Sequence, residues 1–212
     1  MTSSQARSFA FQRIKAVLFD LGSTLIYFEG DFDAIIKRSD EAMLSALHVE
    51  GFKPGPEFLD DFRASMESYY AGRDGDMIEC TTASILEESV LRSCGEKITE
   101  AQIRAVLRAR YTITQGHWHP EEDAIPTLSQ LSRRGFRLGV LSNAGDDDDV
   151  QTLVERAGMR AYFDFVLSSA ALGVRKPHER AFRAALDHWA YSPDEVLMVG
   201  DTLGADILGA QK

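Results

Sequence analysis

Asp20 closes the apolar run Lys15-Ala-Val-Leu-Phe-Asp-Leu-Gly-Ser-Thr-Leu25, and Gly22, Ser23 and Thr24 break the run at once. A carboxylate presented at the carboxyl end of a strand is a candidate nucleophile, although read alone it equally caps a turn. Three further segments present polar groups after a predicted strand or at a helix start. Phe136-Arg-Leu-Gly-Val-Leu-Ser-Asn143 ends in a hydroxyl, Ser142, suited to bonding a phosphoryl oxygen, with Asn143 beside it. Gly173-Val-Arg-Lys-Pro177 offers Lys176 just ahead of a helical segment, Glu179 to Trp189. Val196-Leu-Met-Val-Gly-Asp-Thr-Leu-Gly-Ala-Asp206 ends a strand at Gly200 and offers Asp201, with Asp206 five residues on. Carboxylates in such a place are hard oxygen ligands of the kind Mg²⁺ takes, one or two per ion.

The elements that must position these groups are legible in part. Residues 16 to 19 are continuously apolar rather than alternating, as suits a strand buried on both faces of a parallel sheet. Four such strands are predicted, at about 15 to 20, 136 to 141, 163 to 168 and 196 to 200. Between Asp31 and Gly116 there is no comparable strand. Four helix-like stretches stand there instead: Phe32 to His48, Pro56 to Gly72, Ile78 to Cys94 and Thr99 to Thr114. Gly51, Pro54, Gly55 and Pro56 separate the first pair, Asp74-Gly75-Asp76 the second and Gly95 the third, and Thr99 with Gln102 starts the last as a capping box.

In their joint order Asp20, Ser142, Lys176 and Asp201/Asp206, these motifs resemble the haloacid dehalogenase superfamily of hydrolases, over about residues 14 to 210. Leu-Ser-Asn, Val-Arg-Lys-Pro and Val-Gly-Asp-Thr are similar to its phosphatase branch, of the phosphoglycolate phosphatase-like type with an α-helical cap. The resemblance implies an α/β fold, a Rossmann-like parallel sheet with helices on both faces. It implies a discontinuous core, residues 1–28 and 119–212, and a helical cap insert, residues 29–118, that closes over the site and selects the substrate. It implies that Asp20 attacks phosphorus to give an aspartyl-phosphate and that Ser142, Asn143 and backbone N–H groups hold the phosphoryl oxygens. Lys176 would neutralise charge there. Mg²⁺ would be held by Asp20, the backbone carbonyl of Gly22 and Asp201, with Asp206 acting indirectly. Electrostatics agrees, because three carboxylates and a phosphate dianion repel strongly in a small pocket without a divalent ion and a cation.

One position departs from the family pattern. A second Asp commonly stands two residues after the nucleophile as general acid and base, and here that residue is Gly22. Its loss typically forfeits about 10²–10⁴-fold in rate. The expectation is a preference for activated esters, or a replacement from Glu29, Asp31, Asp33, His117 or His119. Three functions follow: a Mg²⁺-dependent phosphatase of a small phosphorylated metabolite, a metal-independent 2-haloacid dehalogenase, and a phosphoryl- or partner-binding protein with impaired turnover. Asp201 and Asp206 count against the second, which has no need of a metal.

Tyr69, Tyr70, His117 and Trp118 read as core aromatics, Arg63 and Arg73 as solvated, and Asp146 to Asp149 as an acidic helix start. The 212 residues are 44% hydrophobic and 26% charged, enough for a substantial core. A net charge of −10 argues against nucleic acid or an anionic membrane as partner. Cys80 and Cys94, without neighbouring Cys or His, suggest neither a metal framework nor a disulfide, and a cytoplasmic protein is expected. The first dozen residues read as a loose tail. Six residues follow Asp206, so the C-terminal part of the core is expected to be missing, or the sheet to be unusually small, with the strand from Val196 to Val199 at an unpaired edge.

Overall fold

The computed structural model describes residues 13–211, so the expected N-terminal tail lies outside the described residues. Four parallel strands form the central sheet: β1 (Ala16–Phe19), β4 (Arg137–Ser142), β5 (Phe165–Ser168) and β6 (Val196–Val199), in the order β5-β4-β1-β6. Each apolar run faces two ways. Val17 and Phe19 pack with Leu128, Val140, Val150 and Val154, while Ala16 and Leu18 pack with Leu141, Ala181, Ala185 and Trp189 on the opposite face. Helices therefore cover both faces: α5 (Ala124–Arg133) and α6 (Asp147–Arg156) on the first, α8 (Glu179–Trp189) on the second. The continuous apolar pattern of β1 is the sequence signature of this burial. β6 is an edge strand, and its Leu197 is partly exposed.

Four helices occupy the stretch from residue 29 to residue 117: α1 (Phe32–Val49), α2 (Phe58–Asp76), α3 (Thr82–Cys94) and α4 (Glu100–Gln115). They bury their own apolar cluster, including Met43, Leu47, Phe58, Phe62, Leu86 and Val106. Local chemistry sets their starts. Asp31 caps α1, Thr81 caps α3, and Thr99 with Gln102 forms the expected capping box of α4. Two boundaries differ from expectation. α2 runs through Asp74-Gly75-Asp76 and ends only at Met77, which takes the left-handed conformation. A helical glycine costs about 1 kcal/mol, which neighbouring turns outweigh here. Residues 78–81 are not helical; Ile78 makes an antiparallel bridge with Val174, and Thr82 N donates to Gly145 O at 2.8 Å.

A two-stranded antiparallel ribbon, β2 (Ile26–Phe28) with β3 (Trp118–Pro120), joins the helical layer to the sheet at both its crossings. A four-residue helix, α7 (Ser169–Leu172), follows β5, and a π-helical turn, Leu203–Ile207, follows β6. Cys80 and Cys94 are both free thiols. Among the described residues no helix is long and apolar enough to cross a membrane.

Candidate active site

Parallel register brings the strand ends to one level. Phe19 pairs with Val140 on one side and Val199 on the other, so Asp20, Ser142 and Gly200 emerge together at the carboxyl edge of the sheet. Asp20 N donates to Val199 O at 2.8 Å, which extends the ladder to the functional residue itself. These groups open into a cleft of about 630 Å³, walled by residues of the sheet, α6 and α2. In α/β sheets, sites form just outside the carboxyl ends of the strands.

The centre of the cleft is an ion cluster. Lys176 Nζ donates to Asp20 Oδ1 at 2.7 Å and to Asp206 Oδ1 at 2.6 Å, and the lysine side chain is 1% exposed. A buried ammonium requires such partners, since desolvating it alone costs several kcal/mol. Asn143 aligns the lysine from behind: its Oδ1 accepts from Lys176 N at 2.8 Å and its Nδ2 donates to Lys176 O at 2.9 Å. Asn143 thus lines the cleft with its amide engaged on the lysine main chain. Asp206 Oδ2 accepts from Thr202 N at 2.9 Å within the π-helical turn. Gly200 permits this turn to close, because a Cβ there would lie 2.3 Å from Asp206 Cγ.

Asp20, Asp201 and Asp206 each bring a carboxylate oxygen within 4.8 Å of the other two. One ammonium against three carboxylates leaves net negative charge, and hard oxygen donors at this spacing fit Mg²⁺. Burial pushes the Asp20 carboxyl above the ordinary carboxylate range, against the pull of the Lys176 ammonium. A divalent cation beside it would favour the carboxylate. Ser142 is buried and lines the same cleft at the end of β4.

The structure sorts the remaining sequence candidates. Glu29 and His119 form an exposed pair at 3.4 Å, His117 Nδ1 lies 3.0 Å from Glu29 O, Asp31 caps α1, and Asp33 sits exposed in its first turn. None of the five lines the cleft. Arg63, expected to be solvated, bonds with Arg110 to the buried Asp40, at 2.8 and 3.1 Å. Three cleft residues were not anticipated. Trp118 packs against the core of the sheet, as read, and its ring also lies over Gly22, 3.6 Å from where a Cβ would stand. Arg73 enters from the last turn of α2, and Asp149 from the first turn of α6. A larger cavity of about 710 Å³ between α3, α4 and α6 contains none of the strand-end groups, but Asp149 lines both spaces.

Tyr69 is likewise polar in function. Its hydroxyl donates to Glu79 and accepts from Arg175 Nη1 at 3.0 Å, while Ser169 Oγ donates to Glu79 Oε2 at 2.6 Å. This buried network ties the α2–α3 junction to the segment that carries Lys176.

Comparison with known proteins agrees with the topology. A haloacid dehalogenase-like hydrolase family model matches residues 14–212. Phosphoserine phosphatase of Thermus thermophilus is 31% identical, over 93% of this chain and 77% of that protein. Glyceraldehyde 3-phosphate phosphatase of Methanopyrus kandleri is 29% identical, over 94% and 80%. Among solved structures, 2-haloacid dehalogenase from Pseudomonas syringae superposes with a TM-score of 0.61 at 23% identity, over 93% of this chain and 82% of that one. A HAD phosphatase from Thermococcus onnurineus gives 0.58 at 21% identity, over 93% and 82%. Asp20, Ser142, Lys176, Asp201 and Asp206 thus stand in a chain that belongs to the haloacid dehalogenase-like hydrolase family.

Proposed function

We propose that this hydrolase is a Mg²⁺-dependent phosphatase of a small phosphorylated metabolite, with Asp20 as nucleophile. The observation that carries the reading is the Lys176 ammonium, held between Asp20 at 2.7 Å and Asp206 at 2.6 Å with Asp201 adjacent. The central cluster of three carboxylates and one ammonium lacks net positive charge of its own for a phosphate dianion, and a bound divalent ion supplies it. Asp20, the Gly22 carbonyl and Asp201 would hold that ion, with Asp206 acting indirectly. When bound, it would neutralise charge on the phosphoryl oxygens. Asp20 Oδ attacks phosphorus, Ser142 Oγ donates to a phosphoryl oxygen, and Lys176 keeps the nucleophile aligned and compensates its charge. Residues 29–118 act as a cap over this cleft, presenting Arg73 and Trp118 to the rest of the substrate.

Relatives named as phosphatases, at 29 and 31% identity over most of their length, support the reaction class. A screen of metabolite phosphates for phosphate release, with and without EDTA and with Asp20→Asn as control, tests the proposal. Activity that requires Mg²⁺ and vanishes in Asp20→Asn is expected. Full activity after complete metal removal, or 2-chloropropionate dechlorination without phosphate release, would favour metal-free dehalogenation instead.

A further inference from the structure

We propose that Asp149 is the general acid and base of this site, in the role left open by Gly22. The inference rests on the aspartyl-phosphate reading above. Four carboxylates line the cleft among the described residues, together with no imidazole. Asp20 is assigned to attack, and Asp201 and Asp206 to the cation and Lys176, which leaves Asp149.

Its neighbours in the first turn of α6 have other work. Asp146 Oδ1 accepts from Asp149 N at 2.8 Å as the helix cap, Asp147 Oδ1 accepts from Ser168 Oγ at 2.6 Å, and Asp148 is exposed. Asp149 alone of the four lines the nucleophile's cleft. Gln115 Nε2, at the end of α4, donates to Asp149 Oδ1 at 2.8 Å. That bond orients the carboxyl, and Oδ2 has no hydrogen-bond partner among the described residues. The titratable groups next to it are Asp146 at the start of its own helix and Arg110 and Tyr111 on α4, and the cleft it lines also holds Arg73 of α2, Arg175, Lys176 and the carboxyls of Asp20, Asp201 and Asp206. Burial pushes the Asp149 carboxyl up to about 6, Asp146 adds to the rise, and Gln115 and Arg110 oppose it. The Tyr111 phenol is itself pushed up by burial and stays neutral. A carboxyl poised near neutral pH both gives and takes a proton readily.

The balanced sequence is short. Asp20 Oδ forms a bond to phosphorus as the ester P–O bond breaks, and protonated Asp149 gives its proton to the departing alkoxide oxygen. Asp149 carboxylate then takes a proton from water as that water's oxygen attacks the aspartyl-phosphate. The Asp20–phosphorus bond breaks, leaving inorganic phosphate, ionised Asp20 and protonated Asp149.

The experiment compares wild type, Asp149→Asn and Asp148→Asn on ethyl phosphate and on acetyl phosphate in Mg²⁺, with acid-quenched mass spectrometry of the Asp20 peptide. Asp149→Asn keeps an acceptor for Gln115. We expect it to lose roughly 10²–10³-fold in kcat on ethyl phosphate. It should also lose the decline of kcat/KM as pH rises through about 6. With acetyl phosphate it should still form the Asp20 adduct but accumulate it, because the water step lacks its base, while Asp148→Asn behaves as wild type. Should Asp149→Asn not fold, Gln115→Leu serves: loss of an opposing donor moves the limb to higher pH and lowers ethyl phosphate turnover. Adduct formation with unchanged turnover and pH profile in the variants would overturn the assignment of Asp149 alone. No Asp20 adduct in wild type with either substrate would overturn the nucleophile reading and this one together.

Discussion

Lys176 compensates two of the three carboxylates at the centre of the cleft. It is 1% exposed and holds two carboxylates at 2.6 and 2.7 Å. Lys176→Met should remove phosphatase activity and destabilise the fold by about 3–5 kcal/mol, because it leaves two buried carboxylates uncompensated. Urea unfolding at pH 7.5 measures the second effect; an unchanged midpoint would mean that the cluster is more hydrated than its burial indicates. Gly22 is a different kind of position. A Cβ there meets the Trp118 ring at an ordinary 3.6 Å, and its φ is not positive, so glycine is not a steric requirement. Gly22→Asp should therefore be accommodated and should recover about 10²-fold of ethyl phosphate turnover in the Asp149→Asn background. Absence of any rescue, with the adduct still forming, would place the protonation step elsewhere.

Elements translate these local chemistries into a site. β1, β4 and β6 end at one level because their registers are parallel and unshifted, and Gly200 lets the π-helical turn fold Asp206 back towards Lys176. Gly200→Ala should displace Asp206 and abolish Mg²⁺-dependent activity while far-ultraviolet circular dichroism keeps its native shape. Retained activity would show that the turn yields more than a 2.3 Å approach suggests. Strand ends were legible in the sequence because each is a local signal, an apolar run closing on Asp, Ser or Gly-Asp. The ribbon of β2 and β3 was not, since three residues carry no periodicity, and Ile78 left the expected helix for an antiparallel bridge with Val174 that only the folded chain supplies. Arg73 was read as solvated, and the cleft-facing side of Trp118 was not seen, for the same reason. Spacing along a helix says nothing of which distant strand end that helix faces.

At the scale of the molecule, the sheet and the helical layer meet over the cleft, and their junctions decide the state of Asp149. Sequence placed that residue in a hydrated acidic helix start; in the fold the C-terminal end of α4 covers it through Gln115. Its folded value of about 6 exceeds the unfolded value of about 3.9, so the native state binds the additional proton between them. Its contribution to stability is therefore complete below about pH 4 and lost as pH rises to about 6. Asp149→Asn should melt higher than wild type at pH 7.5, with the difference vanishing at pH 4, by differential scanning calorimetry. The same protein offers the most direct test of the central claim, that Asp20 accepts the phosphoryl group. Wild type and Asp149→Asn are mixed with acetyl phosphate and Mg²⁺, quenched in acid, digested and weighed. One phosphoryl mass is expected on the peptide carrying Asp20, more abundant in Asp149→Asn and absent from Asp20→Asn. Phosphate release with that peptide unmodified in every sample would contradict it.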